Sequence, residues 1–204
     1  MEIVNKRQWK INKILHYLLR ERFRKKIEFN FPENIDRWNL INEVIVIKNF
    51  SSYLEIGCDN DDAFSKIKLK DKIGVDPHSG GNFRGTSDLF FQQNKKKFDC
   101  IFIDGLHEYD QVNKDILNSI DSLNENGIIL LHDCLPKSMN QQAVPRFQWV
   151  WNGDVWKSIV KFRCRNDLDI VTCKIDHGIS IIRKINNKDP LLLDIKNFKE
   201  LKFK

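Results

Sequence analysis

Several features that would assign a chain to a familiar functional class are absent from this sequence. The five cysteines are odd in number and include no Cys-x-x-Cys pair, which argues against a disulfide framework and against a zinc ribbon. No apolar run approaches the roughly 18 residues needed to cross a bilayer. The first ten residues lack the apolar stretch of a signal peptide. We therefore expect a cytoplasmic protein without a membrane span.

The basic charge is concentrated at one end of the chain. The net charge is +6, and nine lysines and arginines lie between residues 6 and 26, interleaved with apolar residues at helical spacing. A helix with a solvated basic face explains this pattern, and so would an anionic substrate, partner or membrane surface. No recognised nucleic-acid-binding motif accompanies the charge, so we expect no nucleic-acid partner. The helix could cover the fold or pair with a second subunit, which leaves a homo-oligomer open.

From residue 53 onward, short apolar runs alternate with helical segments. Strands are predicted at 53–57, 72–76, 99–104 and 128–131, with a short one ending at 85–88 and a final hairpin of 169–175 and 178–184. Helices are predicted at 63–69, 89–94 and 109–123, and Asn126-Gly127 is expected to end the last of these. Continuous aliphatic strands alternating with helices are typical of a doubly wound α/β sheet. We expect one domain over 1–204, with a helical extension (1–50), a core (51–185) and a tail (186–204).

Polar residues follow almost every predicted strand. Open α/β sheets bind ligands beyond the carboxyl ends of their strands, near the point where the strand order reverses. The residues at or just beyond these ends are Glu55, Gly57, Asp76, Ser87, Asp88, Asp104, His132 and Asp133. A purely structural sheet does not need an acid at each strand end, so this set predicts a ligand site.

The first two strand ends suit a nucleoside cofactor. Gly57 lets the backbone approach a ligand, and Asp76 lies 19 residues further on, where an acid can bond a ribose diol or, alternatively, only cap the strand. A Gly-x-Gly-x-x-Gly fingerprint for nicotinamide cofactors is missing, and the turn after Gly57 is acidic. An acidic turn repels a pyrophosphate. It is less hostile to S-adenosylmethionine, which has no phosphate and carries cationic ammonium and sulfonium groups.

Four segments carry a family resemblance. They are residues 53–57 (Tyr-Leu-Glu-Ile-Gly), 74–77 (Gly-Val-Asp-Pro), 98–109 (containing Asp-Gly-x-His-x-Tyr) and 127–133 (ending in His-Asp). Together they resemble class I S-adenosylmethionine-dependent methyltransferases. Within that class they are most similar to macrocin-type sugar O-methyltransferases and cephalosporin-hydroxylase-like proteins, over roughly residues 50–185.

The resemblance implies a fold and a set of cofactor contacts. The fold would be a Rossmann-like sheet of seven strands with the last strand antiparallel. Glu55 and Gly57 would lie near the methionine part of the cofactor, Asp76 on the ribose, and Ser87 or Asp88 near the adenine.

One position departs from the family pattern. The family usually has a second glycine four residues after the first, and here that position holds Asp61. Aspartate tolerates left-handed backbone angles better than most residues, but its carboxylate could oppose the cofactor's own.

A metal site is the second expectation. Asp104 ends one strand and His132-Asp133 the next, and neighbouring strands lie about 4.8 Å apart. Related O-methyltransferases hold magnesium with acids at equivalent strand ends, so the resemblance implies Asp104, His132 and Asp133 as ligands; a histidine ligand would favour manganese, iron or zinc. Asp104 would also border the cofactor. His107 is a candidate general base, which makes Asp104, His107 and His132 the candidate catalytic residues. A metal-free site with a histidine base and a purely structural role for the histidines stay open.

The acceptor is expected to lie against residues 135–158, a tryptophan-rich segment after the fifth strand. Tryptophans suit a sugar ring or serve packing alone, and Arg146 suits a phosphate or carboxylate. We expect O-methylation of a sugar, a glycan precursor or a small hydroxylated metabolite. The alternatives are a non-catalytic cofactor- or partner-binding protein on a degenerate methyltransferase fold, which the acidic turn favours, and a metal-dependent enzyme that does not use this cofactor.

Overall fold

A seven-stranded sheet forms the centre of the protein, whose computed structural model describes residues 5–19 and 27–201. The strands are β1 (Ser52–Ile56), β2 (Asp71–Asp76), β3 (Phe83–Arg84), β4 (Phe98–Ile103), β5 (Leu123–Leu131), β6 (Asp169–Cys173) and β7 (Ile179–Arg183). Their order is β3-β2-β1-β4-β5-β7-β6, with β1 to β5 parallel and β7 antiparallel to both of its neighbours. The Rossmann-like sheet with an antiparallel last strand is therefore confirmed.

Helices cover both faces of this sheet. They are α1 (Lys6–Leu19), α2 (Arg37–Lys48), α3 (Ser87–Gln93), α4 (Tyr109–Asp121) and α5 (Val155–Arg163). One core cluster receives Phe90 of α3, Ile116 of α4 and Phe162 of α5. The other receives Ile41 and Ile45 of α2. Burial on both faces explains why the central strands read as continuous aliphatic runs.

Two of the predicted helix features were wrong. The helix expected at 63–69 is only a short 3-10 turn, Phe64–Lys66, and one such turn suffices to bury both Phe64 and Ile67. Helix α4 ends at Asp121, and Asn126-Gly127 lies within β5, where the register against β4 shifts. A Cβ at Gly127 would lie 2.8 Å from Leu123 Cγ, so this glycine serves a close approach inside the sheet and not a helix end.

The amino-terminal region holds α1 and α2, joined in part by non-helical backbone at 27–36, while the basic residues between 20 and 26 lie outside the described residues. Helix α1 lies on the segment after β5. Asn12 Nδ2 donates to the Arg146 carbonyl at 2.8 Å, and Trp9 meets Trp149 edge to face at 5.5 Å between ring centres. Among the described helices, none is both long and apolar enough to cross a membrane.

Candidate active site

One cavity of about 710 Å³ opens at the carboxyl ends of β1, β2, β4 and β5. All nine candidate residues line it, namely Glu55, Gly57, Asp76, Ser87, Asp88, Asp104, His107, His132 and Asp133. The volume is that of a pocket for a cofactor-sized molecule. The strand order reverses between β1 and β4, so the cavity lies where an open α/β sheet binds ligands.

Gly57 is required where β1 leaves the sheet at this reversal. Its φ is +87°, and a Cβ there would lie 2.3 Å from the Asp104 carbonyl oxygen. The turns after β1 and β4 therefore pass in close backbone contact, which only glycine allows. Gly57 was predicted to let the backbone approach a ligand closely. In the structure it also lets the end of β1 pass close to the end of β4.

Asp61 turns its carboxylate away from the cavity. It adopts the left-handed conformation, with φ +63°, and its Oδ1 accepts the Gly81 N–H at 2.6 Å. A Cβ at Gly80 would lie 2.6 Å from the same oxygen, so the loop after β2 fits closely around this side chain. The cavity is lined by Asp59, Asn60 and Asp62 of the same turn, but not by Asp61. The aspartate therefore holds a neighbouring loop and does not oppose a carboxylate in the cavity.

Glu55 is a buried acid at the cavity wall. The Tyr53 hydroxyl donates to Glu55 Oε2 at 2.5 Å, and the residue is 1% exposed. Burial raises the pKa of Glu55 to about 8, against the lowering effect of the Tyr53 hydrogen bond. The carboxyl is consequently mostly protonated near neutral pH, and a cation in the cavity would favour its ionised form.

Asp76 is bonded on all sides by backbone. Its Oδ2 accepts the N–H groups of Cys58 and Asp59, and its Oδ1 accepts those of His78 and Ser79, at 2.7–3.1 Å. Burial opposes ionisation, but these four bonds lower the pKa of Asp76 below its ordinary value. The carboxylate ties the β1 and β2 turns together, as the strand-cap alternative expected. A ribose diol would have to share lone pairs that are already used.

Ser87 and Asp88 lie beyond β3 with Gln111 of α4. Gln111 Nε2 is 3.1 Å from Ser87 Oγ and 3.0 Å from both Asp88 Oδ1 and Asp115 Oδ1. This polar group lines the end of the cavity away from β5.

Two histidines and two aspartates meet beyond β4 and β5. Asp104 Oδ1 is 2.9 Å from His132 Nδ1 and 3.3 Å from His107 Nε2. Asp133 Oδ2 is 3.0 Å from His107 Nδ1 and 3.6 Å from His132 Nδ1. Ligand atoms of Asp104, His107 and Asp133 all lie within 4.8 Å of one another. The strand ends are therefore neighbours, and the residues predicted from them converge together with His107.

The outward-facing atom of each predicted ligand is held by another group. Arg37 Nη1 donates to Asp104 Oδ2, Asn152 Nδ2 donates to Asp133 Oδ1 at 2.7 Å, and His132 Nε2 bonds the Asp176 carbonyl oxygen at 2.7 Å. Asp104 Oδ1, His132 Nδ1 and Asp133 Oδ2 are thereby left to face one another. Groups that bind metal ions are oriented in this way. The ligand atoms that lie within 4.8 Å of one another belong to Asp104, His107 and Asp133, and this mixed oxygen and nitrogen donor set suits a divalent cation such as Mn²⁺.

The charges of this cluster compensate one another. Burial lowers the pKa of His132, but Asp104 and Asp133 raise it well above its ordinary value, and they raise that of His107 in the same sense. Arg37 is shared between Asp104 and Asp176, with Nε 2.7 Å from Asp176 Oδ2. Protons on the histidines and the Arg37 guanidinium thus occupy the electrostatic role that a bound cation would take.

His107 is fixed from three sides. Its ring stacks on Trp151 at 5.3 Å between centres, and Nδ1 is also 3.1 Å from the Trp151 carbonyl oxygen. Gly153 lies directly over the His107 backbone, where a Cβ would come within 1.7 Å of the carbonyl oxygen. The segment after β5 therefore determines where this imidazole lies.

Arg37, Asn152 and Asp176 were missed by the sequence-based prediction. Arg37 comes from α2, 67 residues before Asp104, and no motif marks it. Asp176 was read only as part of a hairpin, and Asn152 only as part of the segment expected to form the acceptor wall. The one available signal was that Asp176 joins the two strands of the predicted hairpin; because β7 runs antiparallel to β5, this connection lies at the same edge of the sheet as the carboxyl end of β5.

The predicted acceptor wall borders the cavity. Arg146, Trp149, Val150 and Trp151 line it, and Trp149 is 66% exposed. The Arg146 guanidinium lies 5.4 Å from the ring centre of Trp151 and 5.9 Å from that of Trp149. This wall is aromatic, whereas the opposite end of the cavity is acidic.

Comparison with known proteins agrees with this geometry. Residues 56–134 match the family model described as a methyltransferase domain. A search of curated proteins finds no match.

Solved structures share the fold at low identity. The methyltransferase PaMTH1 of Podospora anserina, solved with S-adenosylhomocysteine (SAH) bound, is 15% identical, with 90% of this chain and 89% of that chain covered and a TM-score of 0.57. TomG of Streptomyces achromogenes, an O-methyltransferase involved in tomaymycin synthesis and solved with S-adenosylmethionine (SAM), is 9% identical, with 90% and 100% covered and a TM-score of 0.56. An O-methyltransferase of Bacillus cereus in complex with SAH is also 9% identical, with 87% and 98% covered and a TM-score of 0.54. Residues 56–134 therefore match a methyltransferase domain and the solved structures share the fold, while dependence on SAM and the macrocin-type subgroup stay predictions.

Proposed function

We propose that this protein transfers a methyl group from SAM to a hydroxyl of a sugar, a glycan precursor or another small hydroxylated metabolite. One observation carries the proposal. The turn after Gly57 and the cluster of Asp104, His107, His132 and Asp133 open on the same cavity, so a cofactor and a hydroxyl acceptor would meet across one space.

The cavity suits the charge of the cofactor. Glu55, Asp59, Asp62 and Asp88 line it on the side of β1 to α3, and acidic walls favour a ligand with ammonium and sulfonium groups. SAM, when bound, supplies an electrophilic methyl group. Glu55 and the Gly57 turn would hold its methionine part. Ser87 and Asp88 would lie near its adenine, and Asp76 would fix the turns around its ribose.

His107 is the residue best placed to take the acceptor proton. His107 donates Nδ1–H towards the Trp151 carbonyl and Asp133, and its Nε2 lies 3.3 Å from Asp104 Oδ1. Against the effect of burial, the two carboxylates raise the pKa of His107, so Nε2 would accept a proton only in the neutral form of the ring, which rising pH favours. In its neutral form, Nε2 would accept the hydroxyl proton as the acceptor oxygen takes the methyl group. Trp151 and Gly153 keep the ring in that orientation, and such positioning can contribute about 7 to 11 kcal/mol to lowering a barrier.

Asp104, His132 and Asp133 would hold a divalent cation. A cation there lowers the pKa of a bound hydroxyl and fixes its oxygen. Arg37 and Asn152 orient the two carboxylates through their other oxygens. His132 is oriented by the Asp176 carbonyl oxygen.

The acceptor wall favours a ring-shaped substrate. Trp149, largely exposed, and Trp151, stacked on His107, present aromatic surface at the mouth of the cavity. Aromatic faces pack against the apolar faces of sugar rings as well as against planar rings. The position of Trp151 would place a hydroxyl of such a ring next to His107.

Calorimetric titration with SAM and SAH, each with EDTA and with Mg²⁺ or Mn²⁺, tests the cofactor and metal sites. We expect binding of both ligands, and a metal-dependent heat that Asp133→Asn removes while Asp110→Asn, on the exposed side of α4, leaves it unchanged. His107→Gln should retain SAH binding and lose methyl transfer to a panel of sugars. Binding without transfer to any acceptor would favour the non-catalytic alternative, and no binding of either ligand would refute the proposal.

A further inference from the structure

Helix α1 contacts the segment after β5 through polar and aromatic side chains. These side chains belong to Trp9, Asn12 and His16. The ring nitrogen Nε2 of His16 lies 2.9 Å from the Pro145 carbonyl oxygen, next to the contacts that Trp9 and Asn12 make with the same segment. Positions 9, 12 and 16 are three and four residues apart and therefore share one side of the helix. The opposite side of α1 consequently faces away from the fold.

That opposite side carries an apolar row. Its members, Ile11, Ile14, Leu15 and Leu18, recur at positions i, i+3, i+4 and i+7 and are between 43% and 73% exposed. A helix on the surface of a globular protein normally buries such a row against the core. Helix α1 does the reverse, because its polar side rests on the fold and its apolar row faces outwards. The apolar row is therefore suited to contact something outside this fold.

A basic row lies beside the apolar row. Lys6, Lys10 and Lys13 recur at positions i, i+4 and i+7, and Arg7 lies one turn before Ile11. All four cations are exposed, and α1 contains no acidic residue. Within the part of the chain that the structure describes, no carboxylate forms an ion pair with any of the four. Their charge is thus available to an anionic partner.

The two rows together distinguish between possible partners. In a symmetric dimer formed through this face, each copy would bring the same four cations to the contact, and neither copy of α1 has a carboxylate to pair with them. An anionic lipid surface satisfies both rows, because its phosphates attract the cations and its acyl chains accept the apolar side chains. Charge complementarity therefore favours a lipid surface over a second copy of the chain.

We propose that α1 is a peripheral membrane-binding helix that lies in the surface of an anionic bilayer. Ile14 and Leu18 enter the boundary between headgroups and acyl chains, and Lys10 and Lys13 contact the lipid phosphates. The inference goes beyond the proposed function and does not depend on it. Because α1 rests on the segment that forms the acceptor wall, this wall would lie about one helix diameter, roughly 10 Å, from the bilayer.

Sedimentation with unilamellar vesicles tests the basic row. We expect binding to phosphatidylcholine vesicles that contain about one third phosphatidylglycerol, and much weaker binding to pure phosphatidylcholine. Raising the salt concentration from about 0.1 M to about 0.5 M should weaken the binding. Lys10→Gln with Lys13→Gln should weaken it by about fivefold for each charge removed. The matched control is Lys95→Gln with Lys97→Gln, which removes two exposed cations between α3 and β4 and should leave binding unchanged.

The same assay tests the apolar row. Ile14→Gln with Leu18→Gln keeps a high helix propensity and adds no charge, and it should weaken binding to the anionic vesicles by at least about tenfold. The matched control is Val46→Gln with Ile47→Gln, because these two side chains of α2 are 73% and 75% exposed. This control should bind like the unaltered protein. Circular dichroism and thermal melting show whether each variant is folded.

Three results would overturn the inference. The first is an absence of binding to the anionic vesicles by the unaltered protein. The second is an equal loss of binding in the α1 variants and in their controls, or a loss with the lysine pair but not with the apolar pair, since neither result needs insertion of α1. The third is a dimer in sedimentation velocity that does not bind vesicles and that Ile14→Gln with Leu18→Gln converts to a monomer, which would assign this face to a second copy.

Discussion

Replacing Glu55 by glutamine tests whether the buried acid of β1 meets the positive charge of the cofactor. In the free protein burial raises the pKa of Glu55 from 4.5 to about 8, so binding a cation beside it releases a proton. The direction of the pH dependence of SAM binding follows from this release of a proton. Affinity for SAM should increase as the pH rises through 8, where about half of the carboxyl is already ionised before binding, and should level off above about pH 9.

The size of the effect follows from the fraction ionised. With a pKa of about 8, that fraction is about 3% at pH 6.5 and about three quarters at pH 8.5. If the complex holds Glu55 ionised, the affinity for SAM should rise by about 25-fold across this range. Glu55→Gln has no proton to release at this position, so its affinity should lack this component.

Calorimetry in two buffers of different ionisation enthalpy counts the protons released on binding. The difference between the unaltered protein and Glu55→Gln isolates the contribution of Glu55, because titration of the cofactor's own groups is common to both. SAH, which lacks the sulfonium charge, should release fewer protons than SAM. Equal pH dependence in the unaltered protein and in Glu55→Gln would show that this carboxyl does not meet the charge.

Three further predictions concern stability and the metal site. Because the folded protein favours neutral Glu55, Glu55→Gln should be more stable towards urea by about 1–3 kcal/mol at pH 8 and no more stable at pH 4. Asp99 accepts the N–H groups of Ser51 and Ser52, and despite burial these bonds lower its pKa to about 2. Asp99→Asn should therefore cost about 1 kcal/mol at pH 7, allowing for solvent screening, and the loss should shrink as the pH falls from 3.8 through 2; a pH-independent loss would contradict this. Asn152→Ala should weaken Mn²⁺ binding by about 10- to 100-fold and leave SAH binding unchanged, and equal loss of both would indicate general unfolding.

The sheet could be predicted because burial leaves a direct record in sequence. Each central strand carries a short apolar stretch with a polar group at or just after its end, and these stretches match β1, β2, β4 and the second half of β5. The first half of β5 could not be predicted in this way. It contains the polar residues Asn124, Glu125 and Asn126 followed by a glycine, a pattern typical of a helix end. These residues fit into the strand only because the register of β5 against β4 shifts there, and that shift is not visible in the sequence of either strand alone.

The site could be predicted where it depends on strand ends and could not where it depends on distant contacts. Parallel neighbouring strands bring Asp104 and Asp133 together once the order of the sheet is known. Asp61 stands where the family usually has glycine, and its left-handed backbone agrees with that pattern, but the direction of its carboxylate depends on the loop at Gly80 and Gly81. Whether such a side chain faces a ligand or a neighbouring N–H group depends on the space that the loop leaves.

Arg37 shows why the amino-terminal extension belongs to the site. It begins α2, where Asp36 and Asn39 form a capping box, and that cap fixes the backbone from which its side chain reaches Asp104 and Asp176. Without the guanidinium, two buried carboxylates would face each other, and the Asp104 oxygen that points away from the histidines would lose its donor. The extension thus contributes a charge on which the orientation of Asp104 depends. The acceptor wall is joined to the same region, since α1 lies on the segment that holds Trp149 and Trp151. Both the cluster around Asp104 and the acceptor wall therefore depend on residues that precede the first strand.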